Sequence, residues 1–253
     1  MQAFANLNNF YDKIYVLSVT AAAERRKQFQ QLFDGLNYQF YFGADKNTFS
    51  IEEVKQKNIY SEPLTKKNHR YSKTMKHGEI ACAWSHKMIY EDMLQNGYQR
   101  ILIFEDDAVP DEHVLQNSNN ILKEIPPTAE LVFWGWGKNE KAPPFSFLKK
   151  AIYHLQHRLG FLKWNHQVIT NNYARPYAKH LKKAGFHDFT YAYAINQTAA
   201  KKLIAMQTPL QYVADNLLAY AATQQQIEAY IVHPMAFLHD TLPDGSPKDS
   251  YIR

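Results

Sequence analysis

Nine residues constrain this chain more than any others: Arg100-Ile101-Leu102-Ile103-Phe104-Glu105-Asp106-Asp107-Ala108, an apolar run that ends in three consecutive carboxylates. Ile101 to Phe104 have the length and the β-branched or aromatic character of a strand covered on both faces. In open α/β sheets, ligands bind beyond the carboxyl ends of such strands. Three adjacent acids repel one another, so their placement there calls for a cation, of which a divalent metal is the simplest. Taken alone, the triplet reads equally well as a solvated turn that starts a loop at Asp106 or Asp107.

The rest of the chain supplies a frame for that strand. Residues 13–19 alternate as a first strand; Thr20 precedes an alanine-rich, charged helix that stops at Gly35, and a second strand over 38–42 ends in Gly43-Ala44-Asp45. This is a βαβ opening of the kind that begins nucleotide-binding α/β sheets. Gly78 introduces a long helix closed by Gly97, directly before the acid-tipped strand. Strands over 131–134, 191–195 and 227–232 and helices over 198–206 and from Asp215 follow, with a lid-like or acceptor-side insertion at about 135–185. With 253 residues and 45% hydrophobic content, the chain can bury a full core, and one domain over 1–253 is expected.

The single cysteine, Cys82, excludes an internal disulfide framework and agrees with a reducing compartment; its neighbours Ala81, Ala83 and Trp84 suggest packing. No apolar stretch approaches the roughly 20 residues that span a bilayer, and the N-terminus has no secretory pattern, so a cytoplasmic protein is expected. The net charge of +5 does not choose among partners. Placement is more informative. Lys66, Lys67, Arg70, Lys73 and Lys76 form an acid-free run that reads as an anion-binding loop or an ordinary solvated one. Leu148, Ile152, Leu155 and Leu159 recur at helical spacing among Lys149, Lys150, Arg158 and Lys163. Such a helix either lies on an anionic membrane or packs its apolar stripe on the domain, and the packed arrangement is the commoner.

Glu79 and His86, seven residues apart, project from nearly the same side of the long helix. Gly78-Glu79-Ile80-Ala81-Cys82-Ala83-Trp84-Ser85-His86 followed by the acid-tipped strand resembles the signature of glycosyltransferase family 25, which includes lipooligosaccharide and lipopolysaccharide glycosyltransferases and related collagen galactosyltransferases. Residues 14–26, with Arg25 and Arg26 on the helix, are similar to the family's opening strand and helix. Residues 190–203 are similar to a later strand and helix, and Asp249-Ser250-Tyr251-Ile252-Arg253 to its C-terminal segment. The chain departs from the pattern at Ala81, where the family often has glycine, and Gly43-Ala44-Asp45-Lys46 only approximates its short acidic turn.

The resemblance implies a GT-A-like α/β domain with a Rossmann-like nucleotide-binding half and a mixed central sheet flanked by helices. It also implies a UDP-sugar donor, inversion at the anomeric carbon, and a saccharide or lipid-linked acceptor reached from the cytoplasm at the inner face of the inner membrane. Galactose is the family-weighted donor sugar, which makes a β-galactosyltransferase the expected activity. The diphosphate that leaves gains negative charge, and a hard cation on carboxylate oxygens, Mn²⁺ or Mg²⁺, suits it. Glu105 and Asp107 project to one side of an extended chain, as in a DxD-type motif. Asp107 is therefore assigned to the metal, Glu105 to the ribose or the metal shell, and Asp106 to support. His239 is the histidine named to complete the shell, although a packed or exposed histidine is the commoner finding there and at His233. Nucleotide contacts are expected from Ser18, Thr20, Arg25, Ala44, Asp45, Glu79, His86, Glu105 and Asp106.

Inversion needs a base on the acceptor hydroxyl. Asp215 is the first choice, with Asp188 and Glu140 in reserve; an N-cap role would equally explain an aspartate at a helix start. Phe133-Trp134-Gly135-Trp136-Gly137 reads as a sugar-stacking platform or as packing. Three other classes compete. A nucleotidyltransferase would carry a glycine-rich phosphate loop where Ser18-Val19-Thr20-Ala21-Ala22 has none. A silent sugar-binding or scaffold protein of the same fold would not need the intact acids. Nucleic-acid binding has no groove-reading or RNA-binding motif behind it.

Overall fold

The computed structural model describes residues 2–240, so the C-terminal residues 249–253, likened above to the family, lie outside the described residues. Ten strands are present among the described residues: β1 (Lys13–Ser18), β2 (Gln39–Phe42), β3 (Arg100–Glu105), β4 (Ala108–Pro110), β5 (Leu131–Gly137), β6 (Arg175–Pro176), β7 (Leu181–Lys183), β8 (Asp188–Asn196), β9 (Ala229–Val232) and β10 (Phe237–His239). Eight of them form one mixed sheet in the order β2-β1-β3-β8-β5-β9-β7-β6, while β4 and β10 pair antiparallel beside it. β1 runs parallel to both β2 and β3, which is the expected βαβ opening, and β8 is antiparallel to β3 and β5. The mixed α/β class read from the sequence is the one the chain adopts.

β3 shows why its residues had to be apolar on both sides. Leu102 and Phe104 enter one core with Ile14, Val16, Trp134 and Phe237, while Ile101 and Ile103 enter the opposite core with Tyr15, Leu17, Phe133 and Tyr193. All four β3 side chains are fully buried. Burial of this kind contributes about 25 cal/mol per Å² of apolar area, which anchors the strand from which the acids emerge.

The long helix spans His77–Gln95 and sets Ile89, Tyr90 and Met93 into the second core. It stops where Gly97 takes φ +74°, a backbone angle that favours glycine. The helix Gln197–Met206 starts at the end of β8 because the Asn196 side chain accepts the Ala199 N–H at 2.9 Å.

Three differences from the sequence reading have physical causes. Part of the region expected as a lid supplies β6 and β7, which extend the sheet edge through pairs such as Leu181 with Val232. Trp134 and Trp136 are buried, with their indole N–H groups donating to Tyr11 Oη at 2.7 Å and to the Val232 carbonyl at 2.9 Å. They are therefore core residues and no sugar platform. Among the described residues the helix Ser146–Arg158 buries none of its own, and Leu148, Ile152, Leu155 and Leu159 are each more than half exposed, so the expected packing of the stripe is not found there.

Candidate active site

The carboxyl ends of β1 and β3 meet a turn that follows β2 and the first turns of the helix His77–Gln95, enclosing a cleft of about 170 Å³. Ser18, Arg25, Ala44, Asp45, Glu105, Asp106 and Asp107 all line it, together with Lys46, Asn47, Gly78, Ala81, Cys82 and Ser85. Seven residues selected from the sequence thus converge on one concavity at the place where α/β sheets bind ligands.

The three acids have different surroundings. Asp106 turns inward: Ser18 Oγ donates to its Oδ2 at 2.6 Å and Arg25 Nη1 to its Oδ1 at 3.1 Å. Burial pushes its carboxyl above the ordinary aspartate range, the bonds from Ser18 and Arg25 oppose that, and Asp107 adds to it. Asp106 is thus a support that ties β1, the Arg25 helix and β3 together. Asp107 Oδ2 receives Arg25 Nη1 at 3.1 Å and stands 3.3 Å from His239 Nε2, whereas its Oδ1 is buried with no hydrogen-bond partner. Glu105 receives a bond from Thr190 Oγ1 on β8.

Pairing of β4 with β10 explains why His239 is present: it registers against Ala108, and the Asp240 N–H donates to the Asp107 carbonyl at 3.0 Å. The Asp107 carboxylate raises His239 above the usual histidine range, against the effect of burial.

An orphaned buried carboxylate oxygen demands a partner. Oxygen donors on Asp107 and Glu105, with the His239 imidazole near them, suit Mg²⁺ or Mn²⁺ in kind. Among the described residues, however, the ligating atoms that gather within 4.8 Å of one another are those of Cys82, His86 and Glu105. That set adds a thiol, which burial holds well above its usual pKa, so it is a poor ligand for a hard cation. Cys82 thus lines the cleft wall, with its thiol turned into the protein, where its neighbours had suggested packing alone.

Several expected contacts fall elsewhere. Glu79 accepts the Lys76 backbone N–H at 2.6 Å and so caps its own helix; the N-terminal turn needs an acceptor, and Glu79 sits where it can supply one without reaching the cleft wall. His86 is buried beneath the acids: its Nδ1 shares a 2.7 Å hydrogen bond with Tyr193 Oη, which in turn bonds Tyr90 Oη at 2.7 Å. Its Nε2 lies 3.8 Å from Glu105 Oε1, so it can act on the acids but does not line the cleft. Thr20 is exposed, and its carbonyl is held by Arg26 Nη2 at 3.1 Å. Ser85, which the sequence reading passed over, fixes the turn after β2 by accepting the Ala44 N–H at 2.9 Å while donating to the Ala81 carbonyl at 2.7 Å.

Of the candidate bases, Asp215 is the second residue of the helix Ala214–Thr223, whose N-cap is Val213, so it is not the cap. Its Oδ2 accepts the Phe189 N–H at 3.0 Å, and its Oδ1 accepts the Asn216 N–H at 2.6 Å. Burial raises its pKa, the Phe189 bond opposes this, and the neighbouring Asp188 charge adds to it. Asp188 itself is paired with Lys138 Nζ at 2.7 Å. Neither Asp215 nor Asp188 lines the cleft of the acids, and nor does Glu140; in Glu140 burial would raise the carboxyl, but Lys182 at 2.6 Å and His233 at 2.9 Å hold it low, which makes it the weakest candidate of the three. Tyr191 was not anticipated. Burial raises its hydroxyl pKa first, and Glu105, Asp107, Asp188 and Asp215 raise it further, so it feels both the acid turn and the base pair.

Comparison with known proteins gives the family. A "Glycosyltransferase 25 family member" of Drosophila melanogaster is 25% identical over 201 residues, covering 77% of this chain and 28% of that protein. The human "Inactive glycosyltransferase 25 family member 3" is 25% identical over 232 residues, covering 88% of this chain and 34% of that one. The chain therefore spans about a third of the length of these curated relatives, and the family contains a member named as inactive. Among solved structures, apo mouse xyloside xylosyltransferase 1 aligns over 92% of this chain and 85% of that one at 9% identity and a TM-score of 0.40, too remote a likeness to carry an assignment. Residues 11–218 match the model of "Glycosyltransferase family 25 (LPS biosynthesis protein)", and the chain belongs to that family.

Proposed function

We propose that this protein is an inverting, metal-dependent hexosyltransferase with a GT-A-type site. It moves a hexose, galactose by family weight, from a UDP-sugar to a saccharide acceptor in lipooligosaccharide, lipopolysaccharide or another bacterial surface glycan. The observation that carries this reading is the buried, unpartnered Oδ1 of Asp107 in a cleft at the ends of β1 and β3. Asp107 and Glu105, with His239 beside them, would hold Mn²⁺ or Mg²⁺, which would supply charge stabilisation to the departing diphosphate.

The chain's own groups have separable tasks. Arg25 holds Asp106 and Asp107 in place and brings positive charge to the donor cleft. Ser18 locks Asp106, Thr190 orients Glu105, and Ser85 fixes the Ala44–Asp45 turn against which the nucleoside binds. Asp215, whose raised pKa makes it a better proton acceptor than an ordinary aspartate, takes the proton of the acceptor hydroxyl as that oxygen attacks the anomeric carbon. The whole chain acts as one transferase domain, with residues 135–185 on the acceptor side.

The exposed stripe of the helix Ser146–Arg158, with Lys149, Lys150 and Arg158 around it, supports contact with an anionic membrane that carries a lipid-linked acceptor at the cytoplasmic face. Among the described residues no helix is long and apolar enough to cross a membrane, so contact of this kind is peripheral.

One observation favours a second reading, a catalytically silent sugar-binding protein. The Arg25 guanidinium already compensates the acids without a metal. Hydrolysis of UDP-galactose, UDP-glucose and UDP-N-acetylglucosamine with Mn²⁺, Mg²⁺ or excess chelator separates the two. Turnover of one donor that disappears with chelator supports the transferase; donor binding without turnover under every condition supports the silent protein.

A further inference from the structure

A second cavity, of about 390 Å³, lies on the side where Asp188 and Asn216 flank the proposed base, and the donor reading leaves it without a role. Its wall carries Arg70, Lys73, Lys138 and Lys149 against one carboxylate, Asp188, which is already paired with Lys138. Among the described residues no carboxylate pairs with Arg70, Lys73 or Lys149, so three cations face the same space uncompensated. Like charges brought together without counter-ions are unfavourable unless an anion joins them.

Arg70 is held in place for such a role. Its guanidinium carbon lies 4.0 Å from the Trp164 ring centre, 4.9 Å from that of Tyr71 and 5.1 Å from that of Tyr153, and its Nε is buried without a hydrogen-bond partner. The loop that carries it is tied down: His69 Nδ1 accepts the N–H groups of Tyr71 at 3.0 Å and Lys73 at 3.2 Å, and the Lys163 N–H donates to the Arg70 carbonyl at 3.1 Å. Asn172, which is 3% exposed, adds a side-chain oxygen with no partner to the same wall. Guanidinium and ammonium donors match oxyanions, while an amide oxygen matches a hydroxyl.

We propose that this cavity is the acceptor subsite and that it selects a saccharide bearing an oxyanion, either a phosphate monoester or a carboxylate, close to the hydroxyl that is glycosylated. Arg70, Lys73 and Lys149 grip the oxyanion, and Asn172 Oδ1 accepts from a sugar hydroxyl. The assignment of the cavity to the acceptor rests on Asp215 being the base. Lys149 and Tyr153 belong to the helix whose apolar stripe is exposed, so the site stands beside the surface proposed to meet lipid.

The test is calorimetric titration of the full chain, without donor or metal, using galactose 6-phosphate, galacturonate and neutral galactose. At least one anionic sugar is expected to bind at least tenfold more tightly than galactose, and the tighter of the two identifies the oxyanion. Affinity should fall as salt rises from about 50 to 500 mM, and Arg70→Ala and the exposed-helix variant Lys149→Ala should each weaken it, Arg70→Ala by about tenfold or more. Equal binding of galactose, or unchanged affinity in folded Arg70→Ala or in Lys149→Ala, overturns the proposal. Because no turnover is measured, absence of UDP-sugar hydrolysis in the donor panel would sink the transferase reading alone, leaving an anionic-sugar site in place.

Discussion

Arg25 Nη1 lies 3.1 Å from Asp107 Oδ2, an ion pair between residues 82 apart in the chain, while the other oxygen of the same carboxylate is buried and unpartnered. One half of Asp107 is thus neutralised from within, while the other half has no hydrogen-bond partner among the described residues. Asp107→Ala should abolish metal-dependent donor hydrolysis, by at least about 10²-fold, while circular dichroism shows a folded chain. Full activity in that variant, or in excess chelator, would remove Asp107 from the metal role.

Asp215→Asn should lower kcat by roughly 10²-fold or more at saturating donor and acceptor while leaving donor affinity little changed, because a base acts in the transition state. The wild-type pH profile carries a second signature. Burial raises the Asp215 pKa, so the base is lost as pH falls through that raised value, and the acid limb of kcat should lie above the ordinary aspartate pKa of about 4. A near-normal kcat in Asp215→Asn would move the search to Asp188, with its Lys138 partner.

Gly43 tests how tightly the donor turn is pressed on the long helix. A Cβ there would lie 2.1 Å from Ser85 Oγ and 2.9 Å from Leu17 Cδ1. Gly43→Ala should therefore destabilise the protein by about 1–3 kcal/mol and raise the donor KM, since the Ala44–Asp45 turn must shift. The Ser85 Cβ would stand at 2.5 Å as well, so Ser85→Ala removes only the nearest of two Ser85 obstacles while Ser85→Gly removes both. Thermal melts should show more of the stability return with Gly43→Ala/Ser85→Gly than with Gly43→Ala/Ser85→Ala, and no return in either would mean that Leu17 sets the limit.

His187 predicts an acid-sensitive fold. It is fully buried, accepts the Gly185 N–H at Nε2 at 2.9 Å, and burial lowers its pKa to about 4. The unfolded chain, with histidine near 6.5, binds more protons between pH 6.5 and 4, so stability is present above that window and is lost as pH falls through it. The loss should reach roughly 3 kcal/mol by pH 4. Urea titrations at pH 7 and 5 should differ in the wild type, and that difference should shrink in His187→Gln.

The exposed helix Ser146–Arg158 predicts co-sedimentation with vesicles of anionic lipid at low salt, each basic residue near the surface contributing about 1 kcal/mol. Release by salt, and weaker binding of Leu148→Ser and Leu155→Ser, are expected. Vesicles that fail to pull the protein down at low salt would leave the stripe with no membrane role.

The acid-tipped strand, the βαβ opening, the long helix ending at Gly97 and the helix after Asn196 were legible without coordinates, because apolar periodicity, caps and glycine stops are local properties of the chain. The family resemblance had implied that Ser18, Arg25, Asp45 and the acids share one site, and the parallel pairing of β1 with β2 and β3 brings them together. What tertiary structure decided was how individual polar groups are paired. Glu79 was drawn to its own helix terminus, and His86 was buried under Tyr193; Thr190 was delivered to Glu105 by an antiparallel strand from the far side of the sequence. The edge strands β6 and β7 are only two and three residues long and carry no periodicity to detect; they exist because β9 offers an edge to β7, and β7 in turn offers one to β6. The same limit governs the stripe of Leu148, Ile152, Leu155 and Leu159. Helical spacing prescribes an apolar face, but whether that face is covered depends on residues far away in the chain, and among the described residues none buries it.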